Sequence, residues 1–191
     1  MYRPVLITAP TIKPITLTEA KAWADITYTD KDTVITMQIA AETAHLDGWS
    51  GILARCLCEQ TWRQDYDLFA RCLRIPLAPV ISITSVKYDD SEDVERTVAA
   101  EDYDLLVDDL GPYVKFLDTY AFPSLADERP AVRVTYLAGY GDIAGSPKTS
   151  SVPDDIKQYI AARIRARFDK PDEEPPETLD GLIAKHRRVR F

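Results

Sequence analysis

The sequence predicts an α+β fold, in which N- and C-terminal helices pack as a small helical bundle with an inserted antiparallel β lobe and an extended C-terminal arm. Three observations carry this. Helical periodicity lies in residues 15–52 and again in 153–168. Between them, residues 57–141 alternate apolar and polar side chains, with turn residues between the runs. Prolines punctuate both ends of the chain, where continuous helix is therefore disfavoured. A contiguous set of strands flanked by helices argues for segregated elements, with the terminal helices together and the sheet as a lobe. The expected organisation is an N-terminal arm over 1–14, one domain over 15–170, and a linker with a C-terminal arm over 171–191.

The arm contains Pro4, Pro10 and Pro14, and its Val5, Leu6 and Ile7 suit an edge strand or a contact with a neighbour. The first helix should start at Thr16. In Thr16-Leu17-Thr18-Glu19 the hydroxyl can accept from the Glu19 amide while the Glu19 carboxylate reaches back, a capping box. A second helix is predicted from about Asp32 to Trp49. Ile35, Ile39, Glu42 and Leu46 form one stripe on it, flanked by Val34, Met37, Ala41 and Ala44. Gly48-Trp49-Ser50-Gly51 should stop it, because glycine accepts the left-handed conformation after a helix end.

Strands are predicted over 57–69, 71–75, 80–88, 94–98, 103–107, 113–117 and 132–137. Those over 103–107 and 113–117 read as a hairpin. Gly139 and Gly141 then permit a sharp reversal. A third helix should run over 153–168, with Pro153 at its first position and Asp154 and Asp155 at the positive end of its dipole. An acidic, proline-rich linker follows, then a short helix holding Leu179, Leu182 and Ile183.

Composition narrows the function classes. The net charge is −8, which disfavours a surface that grips phosphates. No leader is expected, since residues 1–10 hold a single Arg3 and a three-residue apolar run, and no apolar run approaches a membrane span. The three cysteines, Cys56, Cys58 and Cys72, are odd in number and suit a reducing cytoplasm.

Candidate chemistry is sparse. Cys56-x-Cys58, with Cys72, His45 and His186, lacks the paired spacing of a structural zinc site, so no metal is expected. His45 has no identifiable partner for general-base work. Acids crowd residues 89–128, where the bases are Arg96 and Lys115. The run lacks the central glycine of a calcium loop. Solvated turns, or an acidic rim or lumen built from Asp89, Asp90, Glu92, Asp93, Asp108 and Asp109, account for it. Gly139-Tyr140-Gly141 lacks the rest of a phosphate cradle. No catalytic residue and no cofactor is expected. At the C-terminus, apolar Leu179, Leu182, Ile183 and Phe191 interleave with basic Arg187, Arg188 and Arg190. That composition suits an interface segment that folds onto a partner.

The order and spacing of several motifs carry a resemblance over nearly the whole chain. They are Ile15-Thr16-Leu17-Thr18-Glu19-Ala20-Lys21, Leu46-Asp47-Gly48-Trp49-Ser50-Gly51, Gln60-Thr61-Trp62-Arg63, the stretch from Ile75-Pro76-Leu77-Ala78-Pro79 to Val86, Asp102-Tyr103-Asp104-Leu105, Val134-Thr135-Tyr136-Leu137-Ala138-Gly139-Tyr140-Gly141 and Val152-Pro153-Asp154-Asp155-Ile156. The sequence resembles the head–tail connector (adaptor) proteins of long-tailed bacteriophages and gene transfer agents. The resemblance implies a structural virion protein in the neck between head and tail, assembled in the host cytoplasm. It implies a homo-oligomeric ring, typically of twelve copies, joining the portal protein to a stopper or tail-terminator protein, with DNA passing through without specific binding. It assigns the C-terminal residues named above to a portal or neighbour contact. Three other readings stay open: a stopper or head-completion ring, a β-lobe binding module using Trp62, Tyr66 or Tyr140, and a small hydrolase using the carboxylates. Apolar residues pointing to solvent on the helices would favour the ring-builder.

Overall fold

A computed structural model describes residues 2–145, 148–170 and 172–188. The chain divides into two units. Among the described residues, those through Ala9 join Glu59–Gly139 in a β unit, while Pro10–Cys58 and those from Tyr140 to Arg188 make a helical unit.

In the helical unit, α1 (Leu17–Trp23) begins with the expected capping box. The Glu19 amide donates to the Thr16 hydroxyl at 3.1 Å, and the Thr16 amide donates to the Glu19 carboxylate at 2.8 Å. The second helix, α2 (Asp32–Leu46), buries Ile35, Ile39, Glu42, Thr43 and Leu46. Its end is tightly packed, since a Cβ on Gly51 would stand 2.3 Å from the Leu46 carbonyl carbon. Both helices contact α3 (Asp154–Asp169). Their shared core includes Ile35, Ile39, Leu46, Ile156, Tyr159 and Ile160. Burying an Ile or Leu side chain contributes roughly 1.5–3 kcal/mol, so this seam dominates the unit's stability. Charge crosses it too: buried Glu42 accepts from Arg163 at 2.6 Å and from Arg167 at 3.2 Å.

The β unit holds a five-stranded antiparallel sheet and a three-stranded one. The larger contains β1 (Val5–Thr8), β2 (Gln60–Tyr66), β4 (Val80–Asp89), β5 (Glu95–Thr97) and β8 (Val132–Ala138), in the order β1-β2-β8-β4-β5. Central β8 buries Val132, Val134, Tyr136 and Ala138 on one face and half-buries the residues between them, the period-2 pattern of a paired strand. The smaller sheet orders β3 (Cys72–Arg74), β7 (Gly111–Phe116) and β6 (Tyr103–Asp108) as β3-β7-β6. Phe116 anchors an aromatic cluster, its ring 5.4 Å from Phe69 and 5.5 Å from Tyr120 and Phe122.

Several expectations are corrected. The strand expected over 57–69 is shorter; Leu57 and Cys58 belong to the helical core instead. A small ribbon, β9 (Asp142–Ile143) with β10 (Thr149–Ser150), was not foreseen. The C-terminal segment is not extended over residues 177–186. It forms two 3-10 turns, Glu177–Leu182 and Ala184–His186, and the first contacts α3. Pro175 is buried.

Candidate assembly surfaces

The outward face of α2 is an exposed, partly apolar surface of the helical unit. With its inner stripe buried on α3, the flanking stripe faces solvent: Val34 is 45% exposed and Met37 68%. Ala41 and Ala44 continue it, also exposed. The charged residues of α2 are accounted for elsewhere. Asp32 pairs with Lys21 at 2.6 Å, and Glu42 is buried with its arginines. The solvent-facing stripe is thus uncharged and partly apolar, unlike the polar outer face of an ordinary surface helix. Beside it, a groove of about 310 Å³ is lined by Ile12, Leu17, Thr36 and Ala40, with Lys13 and Lys148.

The C-terminal segment behaves differently from expectation. Ile183 is fully buried in the helical core, and Leu179 and Leu182 pack partly buried against it. The idea that these side chains need a partner for cover is corrected, because the segment folds back onto its own unit. Arg55 donates to the His186 carbonyl at 2.6 Å, and the Arg188 amide donates to the Leu53 carbonyl at 3.1 Å. Asp155, at the start of α3, receives Lys185 at 2.7 Å and His186 at 2.9 Å. Burial by itself would raise the Asp155 pKa, but the hydrogen bonds and charge of these two side chains pull it down to about 2. Arg187 pairs with Asp180 at 2.8 Å. Arg190 and Phe191 lie outside the described residues.

Several of the acidic residues have specific cationic partners. Asp89 is held bidentately by Arg133, both contacts at 2.6 Å, and Arg133 also reaches Glu95 at 3.1 Å. Asp90 caps its turn by accepting the Glu92 and Val94 amides and pairs with Arg96 at 2.8 Å. Asp108 is gripped by Arg74 at 2.5 and 2.6 Å. In each case the arginine's hydrogen bond is the main force holding the carboxyl below its ordinary range. Glu92, Asp93 and Asp109 are exposed, with no ion pair among the described residues. The arginines were missed because Arg74 and Arg133 lie far from the acids in sequence.

The thiols are set in distinct environments. Burial is the chief force pushing the Cys58 thiol up to about 12, which suppresses the reactive thiolate. Cys56 is buried beside it, and exposed Cys72 belongs to the β unit. Among the described residues, no three His, Cys, Asp or Glu side chains gather as a metal site. No helix of the described residues is long and apolar enough to cross a membrane. Each aromatic residue considered for a binding module has a local setting. Trp62 is buried and donates to Gln60 at 2.9 Å, Tyr66 donates to the Arg74 carbonyl, and Tyr140 sits in the helical unit.

Comparison with known proteins gives a fold likeness. No family profile matches the chain, and no curated protein does. Among solved structures, a chain from the neck of an empty GTA particle, computed with C6 symmetry, is 19% identical with a TM-score of 0.75. A chain from the virion of a native gene transfer agent (GTA) particle is 20% identical with a TM-score of 0.74. One from the neck of a native GTA particle, computed with C12 symmetry, is 20% identical with a TM-score of 0.65. Each match covers 100% of this chain and 97% of the other. The chain therefore shares, end to end, the fold of chains in these particles.

Proposed function

We propose that this chain is a structural subunit of the neck of a phage-like or gene-transfer-agent-like particle. In this reading it forms a ring that joins the portal to the tail and lets DNA pass, and it catalyses nothing. The observation that carries the reading is the uncharged outward face of α2, with Val34 and Met37 in solvent. A ring subunit can cover such a face with its neighbour. The end-to-end likeness to chains of GTA particles supports the same conclusion.

The cyclic symmetries used for two of those necks support a ring, and we put the copy number at twelve. The partners in this reading are other copies, the portal protein, and a stopper or tail-terminator protein. The net charge of −8 suits a subunit past which DNA slides, because like charge suppresses sticking. The basic C-terminal segment, with Arg187 and Arg188, contributes to portal or neighbour contact in this reading. It does so from a folded platform, since Ile183 is already buried.

Imaging the purified chain mixed with the portal protein of the same particle tests the reading. Closed rings on the portal are the expected result. Separate copies that never join the portal would refute it.

A further inference from the structure

We propose that the tip of the β6–β7 hairpin of one copy seats in the groove beside α2 of the next copy, with Asp109 facing Lys13 and Lys148. This rests on the ring reading and deepens it by naming the contact between neighbours.

The tip of this hairpin presents exposed apolar side chains. β6 is an edge strand of its sheet. At its end Val107 is 72% exposed, and Leu110, across the turn, is 52% exposed. The two turn acids have different roles. Asp108 is engaged locally, accepting the Leu110 amide at 3.0 Å and gripping Arg74. Asp109 is exposed and forms no ion pair among the described residues. The tip therefore presents apolar side chains beside one uncommitted carboxylate.

The groove is its complement. Its volume of about 310 Å³ is walled by Ile12, Leu17 and Ala40. Lys13 and Lys148, both exposed, are without ion pairs among the described residues. An apolar knob carrying one negative charge thus meets an apolar slot carrying two positive ones. The same lysines disfavour the alternative occupant, a neighbour's basic segment with Lys185 and Arg187. Complementary charge raises the rate and selectivity of the encounter, and apolar burial supplies most of the affinity. The contact is also heterologous: each copy offers one tip and one groove. Such contacts add copies head to tail until the rotation closes a ring.

Disulfide trapping tests this on the full chain. Cys72→Ser removes the exposed native thiol, and Val107→Cys with Thr36→Cys places one thiol on the tip and one beside the groove. Oxidation at concentrations where copies associate should give a ladder of linked dimers, trimers and larger species. Neither single-cysteine variant should give it. Asp109→Lys should weaken association at least tenfold, and adding Lys13→Asp with Lys148→Asp should restore it. Copies that assemble by sedimentation yet give no ladder, or an Asp109→Lys defect that the lysine reversals leave unrepaired, would overturn the tip contact and leave the ring reading standing. A chain that assembles neither alone nor on its portal would overturn both.

Discussion

Glu42 of α2 and Arg163 of α3 meet at 2.6 Å inside the helical unit, the carboxylate 4% and the guanidinium group's side chain 13% exposed. This pair fixes which side of α2 faces inward. A buried carboxylate is tolerated only with its counter-charge, so the stripe containing Glu42 must lie on α3 and the Val34–Met37 side must face out. Removing the carboxylate leaves Arg163 buried without its partner. Glu42→Ala should cost about 3 kcal/mol, read as a loss of stability in urea denaturation. A variant as stable as the parent would show that the pair does not orient the helix.

The opposite face of α2 should respond in the reverse way. Met37→Glu sits on an exposed position, so the isolated chain should keep its stability within about 0.5 kcal/mol. Assembly on the portal should be lost, because a charge would enter an apolar contact. Thermal unfolding and imaging of the same preparation separate the two effects.

Acid should release the C-terminal segment first. Folding lowers the Asp155 pKa from 3.8 to about 2. The pairing with Lys185 and His186 therefore contributes fully above pH about 4 and is lost as pH falls toward 2. Amide protection factors over residues 179–186, corrected for the intrinsic exchange rate at each pH, should fall through that window. In Asp155→Asn the segment should exchange faster at neutral pH and lose this acid transition.

The capping box gives a local control. Thr16→Ala removes the acceptor of the Glu19 amide and should cost about 1 kcal/mol, measured by urea denaturation. Thr16→Ser should cost less, since its hydroxyl accepts the same bond.

What the sequence revealed was mostly local. Thr16 and Glu19 specify the start of α1 within four residues, and the alternation in β8 shows directly which of its residues are buried. What it concealed depended on partners distant in the chain. Ile183 looked unsatisfied because its cover comes from the helical core rather than from nearby residues. The partner of Asp89 was hidden because Arg133 reaches it from a strand more than forty residues away. Two-residue strands such as β9 and β10 are too short to show any period. Both stripes of α2 were visible, but the solvent-facing one was set by the burial of Glu42 with Arg163.

The central claim is that the outward face of α2 lies against another copy in a ring. Cryo-electron microscopy of the chain assembled on its portal tests this most directly. The account predicts a closed ring in which Val34 and Met37 are covered by the neighbouring subunit. A ring that leaves both side chains in solvent, or single copies scattered on the portal, would contradict it.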